Sequence, residues 1–223
     1  MKIAIEGMDG VGKSTVSELL AKDLGYEHYE QKLIDQLGMD RTFYKKLMKY
    51  VRSSDNKQMS AIFFTLKMMI DNDDNKDSIV ERSVTSMVYF EKDNIDEKVL
   101  STIMSLGVIP DITFLLYAPL EQRIERIRKR NPEDSDLKSS EAMVDGYDVM
   151  LDFVHQYDIP YIGIDTTNRS AETVAEICKV LIQGFEKCPE NRKKEYLKRM
   201  NSIYGFDDLY ITKGKLLCKK NTT

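Results

Sequence analysis

The sequence predicts an α/β fold of three layers, a five-stranded parallel sheet between two sets of helices. Three observations predict it. Short apolar runs alternate with longer segments of helical periodicity from the start of the chain to about residue 185. One run, Ile112–Tyr117, is apolar throughout, as a central strand covered on both faces must be. The stretch Gly7-Met8-Asp9-Gly10-Val11-Gly12-Lys13-Ser14-Thr15 stands between an apolar run and a helical pattern, where a glycine turn joins strand to helix. At 223 residues the chain can bury one sizeable core.

Taken in order, Ile3-Ala4-Ile5 reads as the first strand. The glycine turn leads into a helix ending near Leu24, with Gly25 as its C-cap. Tyr26-Glu27-His28-Tyr29 is a short second strand. A helix is expected over residues 33–50, with Leu33, Ile34, Leu37, Phe43, Leu47 and Met48 at apolar positions. Ser53-Ser54-Asp55-Asn56 offers an N-cap to a helix over 57–70, where Met59, Ile62, Phe63, Leu66 and Ile70 follow helical spacing. Ser78-Ile79-Val80 is the third strand, and Glu81-Arg82-Ser83 puts charge at its carboxyl end, where open α/β sheets hold ligands. Helices over 85–92 and 95–106 precede the strand at 112–117. Pro119 opens an arginine-rich helix over 120–129. A loop at 131–136, a helix over 139–157, a last strand over 160–165 and a helix over 171–185 complete the domain. The lysine-rich remainder, 186–223, reads as a C-terminal extension of unassigned role, with a helix over 189–200 and a less regular segment over 209–218. Its expected state is a solvated helix and a frayed end, and an interaction surface is the alternative.

Composition narrows the class. Hydrophobic residues make up 42% and charged residues 31%, the balance of a chain that packs a core in water. No run approaches the ~20 apolar residues of a membrane span. Three widely spaced cysteines, Cys178, Cys188 and Cys218, suggest neither a disulfide framework nor a zinc site. The chain enters its first strand at once, so no leader is expected, and cytoplasmic residence follows. A net charge of −4 argues against general nucleic-acid binding.

The spacing G-x-x-x-x-G-K-S/T carries the chemistry. Its backbone N–H groups turn inward toward phosphate oxygens, and the following helix adds the positive end of its dipole. Gly7, Asp9, Gly10, Val11, Gly12, Lys13, Ser14 and Thr15 make up the expected ATP-binding loop, with its backbone on the phosphates, Lys13 reaching the outer ones and Ser14 ligating Mg²⁺. Three clusters can complete a phosphoryl-transfer site, which needs charge neutralisation and alignment rather than covalent help. Arg82 would hold the acceptor while Glu81 acts on Mg²⁺ or a proton. Of Arg123, Arg126, Arg128 and Arg130, only some can point into one site, and Arg126 and Arg130 are the catalytic candidates. Asp9 would repel phosphate and so faces a sugar hydroxyl, while Glu6, at a strand end, stands as a base.

These motifs resemble the thymidylate kinase and deoxynucleoside kinase group of P-loop kinases. Glu6-Gly7-Met8-Asp9-Gly10-Val11-Gly12-Lys13-Ser14 resembles the thymidylate kinase loop, which implies that Asp9 contacts the acceptor sugar or the phosphate-holding arginine. Glu81-Arg82-Ser83 resembles the E-R-S motif of deoxynucleoside kinases, and the thymidylate kinase pattern also places Arg82 and Ser86 at the acceptor. Pro110-Asp111-Ile112-Thr113 resembles the P-D-L-T strand, so the arginine helix and a lid at about 128–140 should follow. Ile164-Asp165-Thr166 resembles the adenine-side loop, which gives Thr166 to ATP. Lys67 takes the place of an acceptor-contacting arginine. The resemblance covers residues 1–185 as a domain of the P-loop NTPase type. It departs after the second strand, where the R-x-P-G segment is absent, and in the lid, which has Ser135-Asp136-Leu137-Lys138.

The resemblance and the motif together imply an ATP- and Mg²⁺-dependent kinase of a nucleoside monophosphate, dTMP first. A deoxynucleoside kinase or a kinase of another small molecule is the alternative, and a GTP-switch protein a remote one, since Asp35-Gln36-Leu37-Gly38 fits D-x-x-G by letters only. A small-molecule acceptor, no nucleic acid, no membrane and a homodimer are the expected partners.

Overall fold

The computed structural model describes residues 1–29, 34, 37–73, 76–106, 109–134, 137 and 146–206. In chain order the strands are β1 (Lys2–Gly7), β2 (Glu27–Tyr29), β3 (Ser78–Glu81), β4 (Ile112–Tyr117) and β5 (Tyr161–Asp165). The helices are α1 (Lys13–Leu24), α2 (Arg41–Arg52), α3 (Gln58–Asp71), α4 (Val84–Glu91), α5 (Glu97–Met104), α6 (Leu120–Arg130), α7 (Gly146–Gln156), α8 (Ala171–Lys187) and, after a 3-10 turn at Glu190–Arg192, α9 (Lys193–Tyr204). The five strands lie in the order β2-β3-β1-β4-β5, all parallel. β1 and β4 lie inside the sheet, and Ile3, Ile5, Ile112, Phe114, Leu115 and Leu116 are fully buried. Because β1 is flanked by β3 on one side and β4 on the other, the chain reverses its direction of winding there. That opens a crevice beyond the carboxyl ends of β1 and β3.

Two sequence expectations change. The helix expected over 33–50 is interrupted: Ile34 is helical, 37–40 are not, and α2 begins at Arg41, where the Asp40 carboxylate caps it, accepting from the Phe43 N–H at 2.8 Å. Gly38 takes a left-handed φ of 67° just upstream, which no helix interior accommodates. Residues 35 and 36, the start of the D-x-x-G match, lie outside the described residues, as do most of the lid, residues 139–145 of the helix expected over 139–157, and everything after 206.

The second change concerns the extension. Its helix α9 packs on edge strand β5 and on α8, with Tyr196, Leu197, Met200 and Tyr204 against the main core. Asn201 serves the strand directly: its side-chain oxygen accepts from Gly163 N–H at 2.6 Å, and its amide donates to the Tyr161 carbonyl at 2.9 Å. A sheet edge covered in this way loses its free pairing face. Phe206, just past the helix, is 1% exposed and stacks on Tyr117 with ring centres 4.7 Å apart. The helix is therefore docked on the domain by one partly buried face, and Phe206 alone of residues 193–206 is in the core.

Candidate active site

The glycine-rich loop follows β1 and delivers its last residues into the first turn of α1, with Gly12 as the N-cap. At Gly10, φ is 83°, and a Cβ there would sit 2.6 Å from the Arg123 carbonyl oxygen, so only glycine fits between the loop and α6. The buried Lys13 ammonium donates to the Met8 carbonyl at 3.0 Å and lies 3.5 Å from Asp9 Oδ1. Burial and the charge of Arg82 push its pKa down to about 8, against the pull of Asp9, Glu6 and Glu81.

Two cavities meet at this loop. The first, of about 680 Å³, is lined by Gly10, Val11, Gly12, Lys13, Ser14 and Thr15 on one side and by Arg126, Arg130, Thr166 and Arg169 on the other. The second, of about 1030 Å³, lies between α2, α3 and α4. Lys45, Lys49, Arg52, Lys67, Ser86, Tyr44, Phe64 and Phe90 are among its walls. Asp9, Glu81 and Arg82 line both. The β1–β3 pairing sets Ile5 beside Glu81, and this register puts the end of β3 against the loop.

Arg82 is the hinge between the cavities. Its φ of 68° is a left-handed conformation that a non-glycine residue adopts only at a cost. Its backbone N–H donates to the Ile5 carbonyl at 3.1 Å. Its guanidinium donates to the Asp9 carboxylate and, at 3.4 Å, to Ser86 Oγ, and lies 5.2 Å above the Phe90 ring. Burial works to raise the Asp9 pKa, but Lys13 and Arg82 outweigh it and hold the carboxyl below its ordinary value.

Glu81 accepts from Ser14 Oγ at 2.8 Å and from Ser17 Oγ at 3.0 Å, with His28 Nε2 at 3.3 Å. Burial would raise its pKa, but hydrogen bonds from His28, Ser14 and Ser17 lower it below the usual carboxylate range. The described residues hold no group of three His, Cys, Asp or Glu side chains that could cage a metal. One carboxylate beside one hydroxyl is instead the donor set that Mg²⁺ accepts when phosphates and waters fill its other positions, so the residues fit a metal that arrives with the nucleotide.

Glu6, expected as a base, is turned to the start of α4. It is fully buried, and its carboxylate accepts from the N–H and Oγ of Ser83 at 2.6 and 2.7 Å, from Ser86 N–H at 3.1 Å, and from Ser86 Oγ. Those bonds occupy it at the start of α4 and place Ser86 beside Arg82. Arg126, a catalytic candidate, is engaged within the fold. It sits on α6 and donates to Thr166 Oγ1 at 3.0 Å, to the Thr166 carbonyl at 2.8 Å and to the Val11 carbonyl at 3.3 Å, stitching the loop to the turn after β5. Thr166 in turn donates from Oγ1 to the Tyr117 carbonyl at 2.9 Å. Arg130 reaches Asp134 at 2.6 Å and lines the smaller cavity. Lys67 donates to Asp71 at 2.5 Å on the wall of the larger one.

Sequence reasoning missed Phe90, Phe64 and Arg52 as cavity walls. Phe90 had a signal, since it stands four residues after Ser86 on one helix face. Sequence reasoning named Arg123 in the arginine cluster but did not choose it, although the residue is 2% exposed and donates to the Asp9 carbonyl at 3.3 Å.

Comparison with known proteins places this geometry. The family model for thymidylate kinase matches residues 5–177. A protein of Methanocaldococcus jannaschii named as a probable thymidylate kinase is 26% identical over 185 residues, 78% of this chain and 91% of that protein. A cytidylate kinase of Natronomonas pharaonis is 30% identical over 192 residues, 83% of this chain and 91% of that one. Among solved structures, a deoxyadenosine kinase from M. mycoides with bound dATP superposes with a TM-score of 0.56 at 25% identity, over 82% of this chain and all of that chain.

Proposed function

Because the chain belongs to the thymidylate kinase family, and is a nucleotide kinase on that ground, we propose that it transfers the γ-phosphoryl group of ATP to dTMP. The observation that carries this reading is that two cavities share Asp9, Glu81 and Arg82, so a donor and an acceptor can meet there. ATP occupies the smaller cavity, its phosphates on the loop amides and Lys13 and its base toward Arg126, Thr166 and Arg169. The acceptor occupies the larger. Lys45, Lys49, Arg52, Lys57, Lys67 and Arg82 line that cavity against three acids, Asp9, Glu81 and Glu91. An excess of cations suits an acceptor that already carries a phosphate better than a neutral nucleoside. Phe64 and Phe90 offer faces on which a base or sugar can pack.

In the transfer, an oxygen of the acceptor phosphate bonds to the γ-phosphorus as the bond from that phosphorus to the β-bridging oxygen breaks, and ADP leaves. Arg82, held by Asp9 and Ser86, aligns the acceptor phosphate. Lys13 and the loop N–H groups meet the charge that moves onto the leaving oxygens. Mg²⁺, on Ser14 and Glu81, supplies charge neutralisation when bound. The test is a coupled assay with ATP and Mg²⁺ across dTMP, dCMP, CMP, thymidine and deoxyadenosine. Turnover highest with dTMP supports the reading. Turnover of the nucleosides alone moves the acceptor to the 5′-hydroxyl, and no turnover of any of them refutes the reading.

We also propose a homodimer in the cytoplasm. Cys178 and Cys188 are free thiols, the state a reducing compartment keeps. Ile62, Leu66 and Met69 form an exposed apolar stripe along α3, suited to a two-fold contact with its own copy. Sedimentation velocity of the wild type against Leu66→Glu checks it, a monomer in both refuting the dimer.

A further inference from the structure

Tyr147 lies directly beneath the phosphate-binding loop and touches neither cavity. It is 2% exposed at the start of α7. Its hydroxyl donates to the Leu116 carbonyl at 2.8 Å and accepts from the Met8 N–H at 3.4 Å, so one oxygen spans the end of β4 and the second residue of the loop. The Met8 side chain packs on the neighbouring Gly146, filling the space a side chain there would take: a Cβ would lie 2.2 Å from the methionine sulfur. The Arg123 guanidinium lies 5.9 Å over the Tyr147 ring while donating to the Asp9 carbonyl at 3.3 Å, and the Arg123 carbonyl closes on Gly10. Met8, Asp9 and Gly10 thus all rest on the Tyr147–Arg123 pair.

The far side of the Tyr147 ring is covered from outside the family-matched region. Phe206 meets it edge-on with centres 5.6 Å apart and stacks on Tyr117, which itself meets Tyr147 at 5.1 Å. The three rings form a closed cluster. Phe206 is brought there by α9, which Asn201 fastens to β5.

We propose that Tyr147 is a positioning residue for the phosphate-binding loop, and that Phe206, carried by the C-terminal helix, holds it in place. The inference rests on the reading of the smaller cavity as the ATP site. A loop whose amides must converge on phosphates is sensitive to sub-ångström drift of Met8, whereas the acceptor cavity, built mainly from α2, α3 and α4, is not lined by any of the three rings and meets the loop through Asp9 alone. The consequence is a split: loosening the cluster weakens the donor side far more than the acceptor side, which it reaches only through Asp9.

The experiment compares the wild type with Tyr147→Phe, Phe206→Ala and the double variant in full-length protein, with KM measured for ATP and for dTMP. Tyr147→Phe removes one hydroxyl and keeps the ring. It should raise KM for ATP about three- to ten-fold, the range of one hydrogen bond, and leave KM for dTMP within about two-fold. Phe206→Ala should do the same, and the double variant should be no worse than the weaker single, since both act through one contact. Should Phe206→Ala fail to fold, Phe206→Leu, which keeps bulk without a stacking face, takes its place. ATP KM unchanged in folded Tyr147→Phe, an equal rise for both substrates, or full additivity overturns the proposal. A wild type that releases bound ATP analogue no more slowly than a Lys13→Ala variant overturns the reading beneath it.

Discussion

Arg82 donates to the Asp9 carboxylate across the seam between the two cavities. The pair joins residues 73 positions apart, one at the end of β3 and one inside the loop after β1. It gives the acid of the glycine-rich loop two cationic partners. Asp9 turns toward Arg82 and Lys13, while the guanidinium borders both cavities. The left-handed backbone at Arg82 is maintained by that surrounding structure.

Arg82→Lys should therefore cost rate and not fold. Lysine keeps the charge but cannot reach Asp9 and Ser86 at once, as the guanidinium does. We expect kcat/KM for the acceptor to fall about 10²-fold, with unfolding free energy within ~1 kcal/mol of wild type. A cycle with Asp9→Asn should show strong coupling. Additive losses in kcat/KM would mean that the ion pair does not position the arginine.

Glu6→Gln separates a base from a structural anchor. An amide presents one donor face to a shell made of N–H and O–H donors from Ser83 and Ser86, so a buried clash of donors results. The expected loss is on the order of 2–4 kcal/mol in urea melts, with kcat within about ten-fold of wild type wherever the variant is folded. A stable variant with a collapsed rate would restore Glu6 as a base.

Much of this site was legible in the order of residues. The loop spacing names Lys13 and Ser14 outright, and a charged pair ending an apolar run names Glu81 and Arg82, because backbone chemistry at those spacings leaves little choice. What was not legible is which side chains face each other. Whether Glu6 points at substrate or at the start of α4 depends on where β3 pairs with β1, a long-range register that local pattern does not encode. The extension failed for another reason. Tyr196, Leu197, Met200 and Tyr204 keep helical spacing along one face, but six lysines and arginines between residues 187 and 199 mask the stripe. At Asp40 the capping signal was present, and the apolar residues before it overrode it.

Lys13→Met should stabilise the unliganded protein while abolishing transfer. The Lys13 pKa falls from 10.5 in the open chain to about 8 in the fold. Between those values the unfolded chain binds more protons than the folded one, so wild-type stability rises with pH there, by roughly 1.4 kcal/mol per unit per group at most. Below pH 8 the buried charge is a full burden. We expect Lys13→Met to exceed wild type by ~1–3 kcal/mol at pH 7, with the gap narrowing steadily toward pH 10. Denaturant melts across pH 6.5–9.5 measure it, and a gap that widens with pH would contradict the burial account. In the wild type, kcat/KM for ATP should decline above about pH 8 as the free lysine loses its proton.

Glu81→Gln tests the metal side, and its signature is a shifted Mg²⁺ requirement rather than lost ATP binding as such. The carboxylate is prepared for a cation by Ser14, Ser17 and His28, which hold it ionised although burial opposes that. Because its pKa is depressed in the fold, the stability it contributes is present above the ordinary carboxylate pKa and disappears as pH falls through the lowered value. Around neutrality the group is charged and the metal contact is fully available. The amide removes that charge but can still bond the serine hydroxyls, so the loop should keep its shape. We expect the Mg²⁺ concentration for half-maximal rate to rise at least ten-fold, with much of the rate recovered at high Mg²⁺. A rate that falls equally at every Mg²⁺ concentration would place Glu81 with the reacting groups instead, and an unchanged requirement would remove it from the metal altogether.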